Sequence, residues 1–268
     1  MALALALAEM TEIPADSAIY RAGEGIERVL LGIDLKSAEL LAATHLGYDC
    51  AISHHPVGGS ATLRFHEVLR RHVEQMVAAG VPQEVAAETV HGTAETRRVL
   101  ASMTNYDHDP SVARLLGVPY MNIHTPLDEI GRRRMAAIAG GMEAEDTVGA
   151  LVERLYETFG EFRNADTEIE VRVGAAANRL GRVAVSHAAG TNGGYPVAKA
   201  YFDHGIDTVV YIHCRPEDAA KLAADYGDVK NLVVTGHIAS DSLGINPFVA
   251  ALRDRGLIVD LFSGVIEP

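Results

Sequence analysis

Tyr48-Asp-Cys-Ala-Ile-Ser-His-His-Pro56 reads as a short buried strand that runs out into two adjacent imidazoles and a proline. Proline pushes His55 into extended backbone. Successive side chains on extended backbone point to opposite sides, so His54 and His55 are placed to address two points rather than to chelate one. Working outward, Arg28-Val-Leu-Leu-Gly-Ile-Asp34 is an earlier apolar strand, and Ser37-Ala-Glu-Leu-Leu-Ala-Ala-Thr-His45 is an amphipathic helix closed by Gly47. Strand, helix and strand with short connections form the βαβ unit of a parallel sheet.

The same alternation continues along the chain. Helical tracts are expected over 63–79, from Pro82 to about 103, and from Pro110 to Gly117. Together they form a helical insertion over 60–117. Strands are expected at 118–123, 168–173, 182–186, 208–212, 232–235 and 257–262, with helices between them. The fold class is therefore α/β. The whole chain, 1–268, reads as one unit with approximate halves 1–140 and 141–268, since Gly140-Gly141 offers the best seam.

Composition narrows the function. A formal charge of −13 argues against a nucleic-acid or anionic-membrane surface, which would need concentrated Lys and Arg. No run approaches the ~18 apolar residues of a membrane span. The first eight residues lack the basic start of a signal segment and reach Glu9 as a short helix. Cys50 and Cys214 are the two cysteines, each in an apolar run, as suits buried reduced thiols in a cytoplasmic protein.

Five strand-like runs end in histidine: His54/His55, His124, His187, His213 and His237. In open α/β sheets ligands bind beyond the carboxyl ends of the strands, where these imidazoles fall. His124 and His237 are each followed four residues later by an aspartate, Asp128 and Asp241, on the same face of a helical turn. His54, His55, Asp128, His237 and Asp241 supply three imidazoles and two carboxylates. That set suits two divalent ions such as Zn, Mn, Fe, Co or Ni. Each aspartate also reads as no more than a helix cap, Asp128 behind Thr125-Pro126 and Asp241 between Ser240 and Ser242. The glycine-rich turn at 190–194 is an anion cradle or simply a tight turn. Arg215 is a candidate for an acidic substrate, and His187 and His213 for general acid/base work or plain strand-end packing.

Ser53-His54-His55-Pro56, His124-Thr125-Pro126-Leu127-Asp128 and Gly236-His237-Ile-Ala-Ser240-Asp241 resemble, in order and placement, the three metal motifs of the Nif-three-like family, also called the GTP cyclohydrolase I type 2 homologues. The resemblance covers nearly the whole chain. It implies two interlocked α/β halves, a dinuclear metal site and trimers paired into a hexameric ring. It implies His54, His55, Asp128, His237 and Asp241 as ligands, with His124 beside the site. Asp241 stands where the family usually has Glu, and the 60–117 insertion is longer than the family's. The function expected is a dinuclear metal-dependent hydrolase acting on a small polar, nucleotide-like substrate. The rival is a non-catalytic metal-binding regulatory or assembly protein. Exposed alanine- and valine-rich faces in the insertion favour a homo-oligomer, hexamer or trimer.

Overall fold

The computed structural model describes all 268 residues. In chain order the elements are α1 (Ala2–Leu7), β1 (Ala18–Arg21), β2 (Arg28–Gly32), α2 (Ser37–His45), β3 (Cys50–Ser53), α3 (Gly59–Leu63), α4 (Phe65–Val68), α5 (Arg70–Ala78), α6 (Gln83–Ser102), α7 (His108–Leu116) and β4 (Tyr120–Asn122). There follow α8 (Thr125–Gly140), α9 (Val148–Thr158), α10 (Gly160–Arg163), β5 (Glu170–Val173), β6 (Val183–Val185), α11 (Gly194–Asp203), β7 (Thr208–Tyr211), α12 (Pro216–Tyr226), β8 (Asn231–Val234), α13 (His237–Arg253) and β9 (Ile258–Phe262). No helix is long and apolar enough to cross a membrane.

The chain divides into two compact units whose segments alternate along it. The first comprises Met1–Val68, Ala94–Ile130 and Gly244–Val265; the second comprises Leu69–Thr93, Gly131–Leu243 and Ile266–Pro268. Gly140 and Gly141 lie at the end of α8, inside the second unit.

The first unit holds a five-stranded sheet of order β1-β4-β3-β2-β9. All pairs are parallel except the edge pair β1–β4, which is antiparallel. Its central strands are apolar on both faces, and their side chains alternate with period two. Val29, Leu31, Cys50 and Ile52 pack with Ala4 of α1 and Ala8 at its C-cap, and with Ile245, Phe248 and Val249 of α13. Leu30 and Ala51 point the other way, onto Leu40 and Ala43 of α2 and Ala113 of α7. A sheet covered on both faces has only its strand ends left to build a site.

The second unit holds a four-stranded sheet of order β5-β8-β7-β6, parallel except for β5–β8. Val210 and Val233 on one face pack with Met135 and Ala139 of α8, Leu151 and Leu155 of α9, and Leu243 of α13.

Three differences from the sequence-based expectation are instructive. The expected continuous helix over 63–79 is three short helices, α3, α4 and α5. The chain passes from the first unit to the second between Val68 and Leu69, within that tract. Pro110 lies inside the first turn of α7 rather than opening it, where its missing N–H costs no hydrogen bond. Strand β1 was not expected at all. Its pairing with β4 spans about a hundred residues of chain, and its Ala18 N–H donates to the Asn122 side chain.

Candidate metal centre

The first unit builds its donors at two neighbouring strand ends. Parallel register sets Ser53 of β3 beside Asn122 of β4, so His54 and His124 emerge side by side. Main-chain bonds hold the exit: the His54 N–H donates to Gly32 O and the Ile123 N–H to Ser53 O. One ligand atom from each of His54, His55 and His124 lies within 4.8 Å of the others. Asp128, in the first turn of α8, is carried back into the cluster because its N–H donates to His124 O. Its Oδ1 is 3.1 Å from His54 Nε2 and its Oδ2 is 3.6 Å from His124 Nε2. His54 and Asp128 are almost fully buried.

The three imidazoles share one wiring. His54 Nδ1 lies 3.0 Å from Ile123 O, His55 Nδ1 2.9 Å from Asp34 Oδ1, and His124 Nδ1 2.7 Å from Asp16 Oδ2. A carbonyl or carboxylate oxygen can only accept, so each Nδ1 carries its proton and donates it. Each ring therefore turns an unprotonated Nε2 toward the cluster, able to serve a metal ion or to accept a proton, and metal-ligating histidines are held in this way when the other ring nitrogen is tied to a carbonyl or carboxylate. The donor set, imidazole nitrogens with a buried carboxylate, fits a borderline divalent ion.

Asp16 is the residue that sequence reading did not reach. It is fully buried in the turn between α1 and β1. Its Oδ2 accepts from both His124 Nδ1 and the Thr125 hydroxyl at 2.6 Å, while Ser17 Oγ accepts the His124 N–H. In the sequence Pro14-Ala-Asp16-Ser17 looks like a break between elements, and 108 residues separate the two partners. Asp34, which closes an apolar run in the sequence, lies just past β2 and holds His55.

The second unit presents His237 at the first residue of α13 and Asp241 one turn further on, with Nε2 and Oδ2 3.4 Å apart. Asp241 is buried, whereas the His237 side chain is 44% exposed. Gly236 makes the bend into the helix at φ +93°, and a Cβ there would come within 2.9 Å of Thr167 Oγ1. The Ser240 hydroxyl donates to Gly236 O, so Ser240 braces the helix start while Asp241 turns inward. His213, beyond the neighbouring strand β7, meets His237 edge-on with ring centroids 4.7 Å apart. His187 is buried after β6, and its carbonyl accepts from Gln75 Nε2 of α5. Arg215 is an exposed N-cap of α12 within 3.8 Å of Glu217. Both cysteines are free, Cys50 buried and Cys214 half-buried; burial pushes the Cys50 thiol up to about 12.

The chain is 51% identical to a NIF3 superfamily protein of Sphaerobacter thermophilus, whose crystal structure it matches with a TM-score of 0.95 over 98% of this chain and 96% of that one. It belongs to the NIF3 superfamily, the Nif-three-like family that its motifs resemble. Two more distant crystal structures share the fold. A hypothetical protein of Staphylococcus aureus has 13% identity and a TM-score of 0.54, covering 100% of this chain and 96% of that one. A Bacillus cereus protein related to NIF3 has 11% identity and a TM-score of 0.50, covering 99% and 95%. No family model and no curated protein matches the chain by sequence.

Proposed function

We propose that this NIF3 superfamily protein is a metal-dependent hydrolase of a small polar, nucleotide-like substrate, with His54, His55, Asp128, His237 and Asp241 as ligands of two divalent ions. The observation that carries the reading is the common wiring of His54, His55 and His124, whose Nδ1 atoms are all committed to acceptors. A buried histidine cluster needs no such uniformity merely to pack. A structural zinc site would also favour cysteine, and none of the five proposed ligands is one. When bound, paired divalent ions supply Lewis-acid polarisation of a carbonyl or phosphoryl oxygen and activate water.

The chain's own residues have separable tasks. Asp16 holds the His124 ring, and we assign His124 Nε2 to proton transfer beside Asp128. His213 is the corresponding candidate beside His237, and His187, packed against α5, the third. His237, whose side chain is 44% exposed, is the proposed ligand most open to a polar substrate.

A homo-oligomer, a hexameric ring by family likeness, accompanies the proposal. Val77, Val85, Val99 and Leu100 on α5 and α6, with Met103 just after α6, leave apolar surface exposed, and uncovered apolar patches favour a partner chain. Light scattering would decide the assembly, and a mass near one chain would remove it.

Elemental analysis of purified protein, followed by a hydrolysis screen over nucleotides, phosphoesters and amides, tests the function. Two divalent ions per chain are expected, with turnover lost in His54→Ala and Asp241→Ala. Stoichiometric metal with no turnover on any substrate would overturn the hydrolase and leave a metal-binding regulatory protein.

A further inference from the structure

Within the second unit a string of side chains begins on α5 and ends on a proposed ligand. Three residues pin α5 to the segment after β6. Arg71 Nε donates to Ala188 O at 2.6 Å, Gln75 Nε2 to His187 O at 2.6 Å, and His72 Nε2 lies 3.1 Å from Thr191 Oγ1. Thr191 Oγ1 also accepts the Gly193 N–H. The pinned segment is strained: Ala188 sits at φ +59°, a left-handed state that a residue with a Cβ adopts only when its surroundings impose it. At Gly193, with φ +81°, a Cβ would come within 2.2 Å of Val197.

What the strained turn delivers is Asn192, which is 5% exposed. Its Oδ1 accepts the Ile212 N–H at 3.0 Å, and that bond fixes which end of the amide is which. Nδ2 then lies 3.1 Å from His213 Nδ1 and 3.0 Å from His213 Nε2. Equal reach to both nitrogens puts the amide over the ring face on its Cε1 side, because an in-plane amide would collide with Cε1. His213 in turn meets His237 at an interplanar angle of 67°.

We infer that Asn192 is a positioning residue for His237, acting through the ring plane of His213. The inference rests on the reading of His237 and Asp241 as metal ligands. His237 is half-exposed at the start of a helix, so burial alone does not select its rotamer. Beside Asp241, which meets its Nε2 at 3.4 Å, the neighbouring imidazole packs against the ring, and that imidazole takes its orientation from a buried amide that touches no proposed ligand. The sequence's glycine-rich turn then serves neither as an anion cradle nor as a bare reversal. It presents one asparagine.

The test uses the full chain, with Asn192→Ala, His213→Ala and the double variant. Calorimetric Co(II) titration should show about a tenfold loss of affinity in each single variant, as for other supports of metal ligands. The double variant should lose no more than either alone, because both break one string. In metal-free protein the His237 ring resonances should shift and broaden in both single variants. If Asn192→Ala unfolds, His213→Ala decides, since His213 is exposed and its removal leaves the turn intact. Unchanged His237 resonances together with unchanged Co(II) affinity in His213→Ala would overturn the inference. Wild-type protein that takes up no Co(II), with His237 resonances still responding to both variants, would sink the metal reading and keep Asn192 as the positioning residue.

Discussion

The two units hold their histidines by different means. In the first, each imidazole is tied through Nδ1 by a direct hydrogen bond, to Ile123 O, to Asp34 or to Asp16. In the second, His237 is set beside the ring of His213, and His213 beside an amide delivered by a strained turn. A hydrogen bond to an acceptor fixes both the tautomer and the plane of a ring, whereas an edge contact fixes only the plane. The first set is therefore wired to a single chemical form. The second depends on the integrity of α5 and the turn it pins.

The largest effect should come from cutting the deepest wire. Asp16→Ala leaves His124 Nδ1 and the Thr125 hydroxyl buried without their acceptor, and should destabilise the protein by roughly 3–5 kcal/mol. It should also disturb proton transfer at His124 and lower turnover by roughly 100-fold. Urea denaturation and a turnover assay read the two effects separately. Wild-type stability in this variant would show that the buried acid is not what fixes His124.

Next in size is the brace of the second set. Burial pushes the His72 imidazole down from its usual 6.5 to about 4, so the folded ring stays neutral while the unfolded chain takes up a proton below 6.5. The neutral ring's contribution is thus fully present above pH 6.5 and is lost as pH falls toward 4. At 1.36 kcal/mol per pH unit the loss is roughly 3 kcal/mol across that window. Denaturant midpoints at pH 7 and pH 4.5 should fall further apart in the wild type than in His72→Gln. Equal differences would mean that His72 does not titrate with unfolding.

Smallest is the third wire of the first set. The Asp34 side chain is 54% exposed, so water replaces it when it is removed. Asp34→Ala should leave stability within about 0.5 kcal/mol of wild type and reduce metal affinity by less than about tenfold. An effect as large as that of Asp16→Ala would erase the distinction between buried and exposed supports.

Much of this was legible in the chain. The helix Ser37–His45 lies where its apolar spacing and Gly47 put it. The strand ends at His54, His124, His213 and His237 follow from apolar runs that stop where a parallel sheet has to stop. The supports were not legible. Asp16 lies 108 residues from His124, and Asn192 lies 21 from His213 in a stretch whose only sequence signal is a glycine-rich turn. Polar residues in turns carry no periodicity, and nothing local tells a solvated aspartate from one aimed at a ring. The tract over 63–79 differs for a related reason, because helical spacing marks apolar positions but not where the chain crosses from one compact unit to another.

By itself, then, the sequence determined the α/β class, the elements that carry the site and the imidazoles and carboxylates at their ends. These depend on local propensity and period, which a short window contains. Tertiary structure alone decided which nitrogen each ring offers, which acid stands behind it, and that α5 is pinned to the turn carrying Asn192. Those are set by hydrogen bonds between residues distant in the chain, and only the folded backbone brings donor and acceptor within three ångströms.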